Sequence, residues 1–202
     1  IKEVCGQDTF IELSITPKTL SEETIDKLVT APLSLLRVSV TGLTSDEIKT
    51  SMPGIDVASV RKCLDQLFDR LKEKRPYDFE IAYLIGIHSP KRDREIFEYW
   101  ENKRGIPVNS WRHVSRAGNS YQNREPPQGR IVGCSSRRAE KWVNILADGR
   151  LVLCCNDYRA EVLLGDLGSH SLLDLWEGPV RRQVLEYFLG KITMPREFLC
   201  KR

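Results

Sequence analysis

Six cysteines are the residues of this 202-residue chain best suited to chemistry: Cys5, Cys63, Cys134, Cys154, Cys155 and Cys200. Four of them crowd into its last third, and Cys134, Cys154 and Cys200 stand at the edges of expected elements, outside any apolar stripe. A metal ligand needs a fixed backbone direction, and the end of a hairpin strand gives Cys154 one. Converging thiolates bind borderline and soft metals, so the chemistry in question is zinc or an iron-sulfur cluster, not calcium or magnesium. The competing reading is packing, because a free cysteine often behaves as a small buried hydrophobe.

Composition removes several alternatives. Lys and Arg total 31 against 28 Asp and Glu, a formal charge of +3 that is too slight and scattered for a nucleic-acid-binding face. No stretch approaches the apolar run needed to cross a bilayer, so a membrane protein is not expected. With no signal peptide at the visible N-terminus, a reduced, cytoplasmic thiol set is the expectation.

The elements that must position these residues begin with a strand over Thr9 to Thr16 and a helix capped by Ser21 with Glu22 and Glu23 in its first turn. Leu35 to Thr41 reads as a second strand. Thr44 and Glu47 have the spacing of a capping box, interrupted at Met52-Pro53-Gly54. Val57, Val60, Leu64, Leu67, Phe68 and Leu71 then make one apolar helix face. A third strand over Phe79 to Ile85, a helix from Asp93 to Arg104 closed by Gly105, and a short strand over Ile106 to Trp111 complete a β-α-β-α-β-α-β order. Strands so separated pair in parallel, with chemistry collecting at their C-terminal ends.

From Ser115 the text turns to Arg, Asn, Gln, Gly and Pro, which marks a connector. Beyond it, Trp142 to Leu146 and Arg150 to Cys154 flank Ala147-Asp148-Gly149 as a hairpin. Ser171 and Asp174 start a helix carrying Leu172, Leu175 and Trp176, and Val180, Val184, Leu185 and Phe188 form a further amphipathic stretch that Gly190 stops.

Taken together, Cys134, fourteen residues, Gly149, four residues, Cys154-Cys155, Leu164-Gly165-Asp166-Leu167, Ser171-Leu172-Leu173-Asp174-Leu175-Trp176 and Cys200 closely resemble the SPASM domain of radical S-adenosylmethionine (radical SAM) enzymes. Ser115-Arg116-Ala117-Gly118-Asn119 resembles the stretch that often links the barrel of those enzymes to SPASM. The resemblance implies an α/β fold: residues 1–114 as the later part of a partial (β/α)6 radical SAM barrel, 115–130 as connector, and 131–202 as a small α+β SPASM domain with a hairpin and helices. It implies an oxidoreductase-type enzyme in which Cys134, Cys154 and Cys200 hold an auxiliary [4Fe-4S] cluster that helps position substrate for 5'-deoxyadenosyl-radical chemistry. S-adenosylmethionine and a second [4Fe-4S] cluster serve the intact enzyme, with a flavodoxin or ferredoxin as reductant and a peptide, sugar or small metabolite as substrate. The Cys-x-x-x-Cys-x-x-Cys loop that holds the second cluster is absent from these residues, so they read as a C-terminal piece, inactive alone, with the fourth SPASM ligand expected just past Arg202.

Individual residues carry further expectations. Ser39, at the end of the second strand, matches a family position that contacts the S-adenosylmethionine cosubstrate, set against its being a tolerated small residue. His88 and His113 follow strand ends, where they could orient substrate or sit on surface loops, while His170 reads as solvated. Arg112, Arg116 and Arg124 could meet an anionic substrate group, although a basic surface connector explains them as well. Trp100, Trp142 and Trp176 read as core or interdomain packing, with Trp111 nearest the pocket mouth. Cys155 reads as packing, because neighbours in an extended strand point opposite ways. Asp157 reads either as shaping the cluster surroundings or as a turn stabiliser. Cys5 and Cys63 have no assigned role. The alternative to the enzyme is a non-catalytic module holding structural zinc.

Overall fold

The computed structural model describes residues 6–74, 76–112, 131, 133–134 and 136–201. Cys5, His113, Arg116, Arg124 and the expected connector lie outside the described residues. The chain divides into two compact units, Ile1–His113 and Val114–Arg202.

In the first unit, β1 (Glu12–Ile15), β2 (Leu35–Ser39), β3 (Asp78–Ile85) and β4 (Val108–Arg112) form a parallel sheet in sequence order. Helices α1 (Glu22–Thr30), α2 (Ser45–Ser51), α3 (Val57–Lys74) and α4 (Pro90–Phe97) connect them. The capping signals act as the sequence indicates. Ser21 accepts the Thr24 N–H, and Thr44 and Glu47 make a reciprocal capping box that opens α2. All six apolar positions of the α3 stripe are buried, and Cys63 joins them as a core residue. The helix expected from Asp93 starts earlier, at Pro90, because Ser89 caps it and proline suits a first helical position. It runs on into a π-helical stretch, Glu98–Lys103, which carries buried Trp100 against Phe68 at a ring-centroid distance of 5.6 Å. The first strand is shorter than Thr9 to Thr16, since only Glu12–Ile15 pairs with β2.

Strand alternation gives this sheet two unlike faces. Leu36, Val38, Val40, Ile81 and Tyr83 are buried in one core with Ile25, Leu67, Phe68 and Ile96 from the helices. The alternate positions, Glu12, Ser14, Arg37, Ser39, Glu80, Ala82, Asn109 and Trp111, are half-buried or exposed and mostly polar.

In the second unit, α5 (Arg138–Lys141) precedes an antiparallel sheet of β5 (Asn144–Ile145), β6 (Arg150–Val152) and β7 (Leu163–Asp166). The hairpin forms around Gly149, whose φ of +88° is one that L side chains rarely adopt. Two elements lie outside the sequence reading: α5, and β7 where only a turn was expected. Gly165 lets β7 approach α6 (Leu172–Trp176), since a Cβ there would stand 2.3 Å from Leu175 Cδ2. Helix α7 (Pro179–Leu189) ends at Gly190, and a 3-10 turn, Leu199–Lys201, carries Cys200. Trp142 is 60% exposed, which corrects the reading of it as a core residue, because α5 ends at Lys141 and leaves it outside the core of its unit.

Candidate metal centre

The residues proposed as ligands come together in one place. Cys134, Cys154 and Cys200 are all half-buried and pack against a single apolar core formed by Ala139, Leu153, Val184, Phe188, Met194 and Leu199. Three separate segments deliver them. Cys134 lies just before α5, its carbonyl accepting the Arg137 N–H at 2.8 Å. Cys154 follows β6 by two residues, and the final 3-10 turn supplies Cys200.

Burial and mutual proximity disfavour the charged form of the Cys154 and Cys200 thiols. Burial, then the nearby Cys154 and Cys134 sulfurs, then Asp157, push the Cys200 thiol up to about 12. Burial also raises Cys154, while the backbone N–H groups of Asn156 and Asp157 and the positive charge of Arg138 oppose the rise. Among the described residues, no group of three or more His, Cys, Asp or Glu side chains is arranged to hold a single metal ion. The three thiols are neighbours in one core. The donor chemistry and its apolar setting fit an iron-sulfur cluster.

Asp157 stabilises the loop after Cys154. Its carboxylate accepts the N–H groups of Glu161 at 2.8 Å and Val162 at 2.9 Å, and its own N–H donates to the Cys154 carbonyl at 3.0 Å. That is the turn-stabilising role, carried out beside the thiols. Cys155 is exposed, which corrects its assignment to packing: β6 has already ended at Val152, so strand alternation no longer governs where it points.

Residues 134–202 match the SPASM family, an iron-sulfur cluster-binding domain. The SPASM segment contains all three converging thiols, α5, the three-stranded sheet and both later helices. Two solved structures share a weak overall likeness with the chain. The crystal structure of BtrN in complex with AdoMet and 2-DOIA is 12% identical with a TM-score of 0.38, over 96% of this chain and 92% of that one. Selenomethionine BtrN in an open conformation is 13% identical with a TM-score of 0.30 over the same shares. No curated protein matches the chain.

The N-terminal unit holds the other candidate residues. Ser39 lies on the polar face of the sheet, in register with Ala82. The same face carries a network that the strand assignments alone did not disclose. Arg37 Nε donates to Glu80 and Nη1 to Glu12, Asn109 Nδ2 donates to Glu80 at 3.1 Å, and the guanidinium stands 5.2 Å from the Trp111 ring centroid. Burial pulls the Arg37 pKa down, but Glu80 and Glu12 together raise it. The signal available in the sequence was polar side chains at alternating positions of strands in a parallel sheet, where both faces are ordinarily apolar.

His88 is tied back to the fold, its Nε2 lying 2.8 Å from the Thr41 carbonyl. Arg112 is exposed, as is His170, which contacts Ser169. A cavity of about 320 Å³ borders Val40, Thr41, Gly42, Leu64 and Trp100, on the helix-covered side of β2 and away from the face that bears Ser39. No described helix is long and apolar enough to cross a membrane.

Proposed function

We propose that this chain serves a radical SAM enzyme with a SPASM domain, and that Cys134, Cys154 and Cys200 hold one auxiliary [4Fe-4S] cluster in it. The observation that carries the reading is the convergence of three distant thiols on one apolar core inside the segment that matches an iron-sulfur cluster-binding domain. When bound, the cluster supplies a one-electron centre and a rigid anchor near substrate. The protein's part is to orient and insulate it. The Ala139, Val184, Phe188 and Leu199 side chains exclude water, while the backbone just after Cys154 favours the charged form of its thiol.

The N-terminal unit contributes four parallel strands to the barrel, with its polar face as the pocket wall. A parallel sheet that leaves one face polar is unlike a two-sided layer, whose faces are both apolar. Ser39 at the C-terminal end of β2 then meets the S-adenosylmethionine cosubstrate, and Arg37, Glu80 and Asn109 form the floor beneath it. Reductive cleavage belongs to a Cys-x-x-x-Cys-x-x-Cys loop that these 202 residues do not contain. Anaerobic reconstitution with ferrous iron and sulfide tests the reading: brown protein that bleaches with dithionite, with iron and sulfide in equal amounts, is expected. A colourless protein that takes up zinc in preference refutes it.

A further inference from the structure

Trp100 is 5% exposed, and its indole Nε1–H has no acceptor among the described residues. A buried donor without a partner is costly, so native structures seldom keep one without a reason. The indole borders the cavity of about 320 Å³ that lies between the end of β2, α2, α3 and the π-helical stretch. Val40, Ile48, Val60 and Leu64, all buried, give that cavity apolar walls. Several polar groups around it are already committed. The Thr41 carbonyl lies 2.8 Å from His88 Nε2, the Leu43 N–H donates to Glu47 at 2.8 Å, and Asp65 pairs with Arg104 at 2.7 Å. Arg61 also lines the cavity. It donates through Nη2 to the Leu43 carbonyl and meets no carboxylate among the described residues.

We propose that this cavity is a binding site for a small apolar carboxylic acid, its body against the aliphatic walls and its oxygens served by the Arg61 guanidinium and the Trp100 N–H. Both uncommitted groups are donors and one is a cation, so the complementary ligand brings acceptor oxygens and a negative charge. At roughly 30 Å³ per water-sized group, the cavity takes about ten non-hydrogen atoms, the size of an eight-carbon acid. Pockets for small molecules share this character, with mostly apolar walls and a few fixed polar groups. The site lies wholly within the first unit, on the side of β2 away from Ser39, and is therefore separate from the place proposed for S-adenosylmethionine.

The test is a titration of the full 202-residue chain with octanoate, followed in proton–nitrogen correlation spectra of its four indole N–H groups. W111F, W142F and W176F assign three of the signals and leave that of Trp100 by elimination. Octanoate is expected to move the Trp100 signal downfield and to saturate with a Kd below about 1 mM, while the other signals stay in place. R61Q changes an exposed side chain and is expected to weaken octanoate about tenfold or more at an unchanged Tm. Octanol, which lacks the charge, is expected to bind more weakly than octanoate and to bind parent and R61Q alike. A Trp100 signal that octanoate leaves unmoved overturns the proposal. Equal octanoate affinity in parent and R61Q, or octanol binding as tightly as octanoate, overturns it too.

Discussion

The guanidinium of Arg181 lies 3.5 Å from the Trp176 ring centroid and donates to three backbone carbonyls, those of Ala139 at 3.1 Å, Glu140 at 3.1 Å and Trp176 at 3.0 Å. One side chain of α7 thereby closes the carbonyl end of α5 and the end of α6. A four-residue helix has little stability of its own, so α5, which adjoins Cys134, depends on this anchor. R181A is expected to cost the C-terminal unit about 2 kcal/mol or more in urea unfolding, from lost charged hydrogen bonds and ring contact. R181K should recover only part, because an ammonium cannot present the same planar fork.

Arg92 lies 2.6 Å from Glu47 and, chiefly through this hydrogen bond, holds the Glu47 carboxyl well below the usual carboxylate range. The Leu43 and Thr44 N–H groups add to the effect. A depressed folded pKa contributes stability that is present above the unfolded value of about 4.3 and lost as pH falls through the folded one. Acidification below about pH 5 should therefore weaken the N-terminal unit progressively. E47Q should cost about 2 kcal/mol at neutral pH and flatten the acid limb of a stability-pH curve measured by denaturant titration.

The Arg37 network predicts a coupled pair. R37A leaves Glu12 and Glu80 on one face without their shared cation and is expected to destabilise the sheet by about 1–3 kcal/mol. In a double-mutant cycle with E80Q, the two changes should fall short of additivity by about 0.5–3 kcal/mol, since the second removes a charge that the first has stranded.

Gly165 predicts a steric effect. G165A pushes a methyl group into Leu175, which is buried, and should cost about 1–3 kcal/mol by thermal unfolding. G165A/L175A should be less destabilised than the sum of its parts.

Where local rules suffice, the fold was legible in the sequence. Ser21, the Thr44 and Glu47 box, the Val57 to Leu71 stripe and the turn at Gly149 each determine their element within a few residues. Helix α5 and strand β7 were not legible, because a four-residue helix and a four-residue strand bearing Gly165 carry too little periodicity and exist through contacts with α7, β6 and α6. The gathering of Cys134, Cys154 and Cys200 on one core was expected from the resemblance, yet the buried carboxylate of Asp157 was not. Nothing local distinguishes Asp157 from an ordinary turn aspartate until the loop folds back and buries it. Cys155 shows the reverse case: strand alternation was applied past the point where the strand stops.

The central claim is that three named thiols hold a cluster, and the most direct measurement is iron and sulfide per chain after anaerobic reconstitution of single Cys-to-Ser variants. C134S, C154S and C200S are each expected to lose or degrade the cluster, with matching loss of the dithionite-bleachable absorbance, while exposed C155S and core C63S keep parent values. Parent-level iron and sulfide in the three triad variants, or a parent protein that binds one zinc without sulfide, would contradict the account.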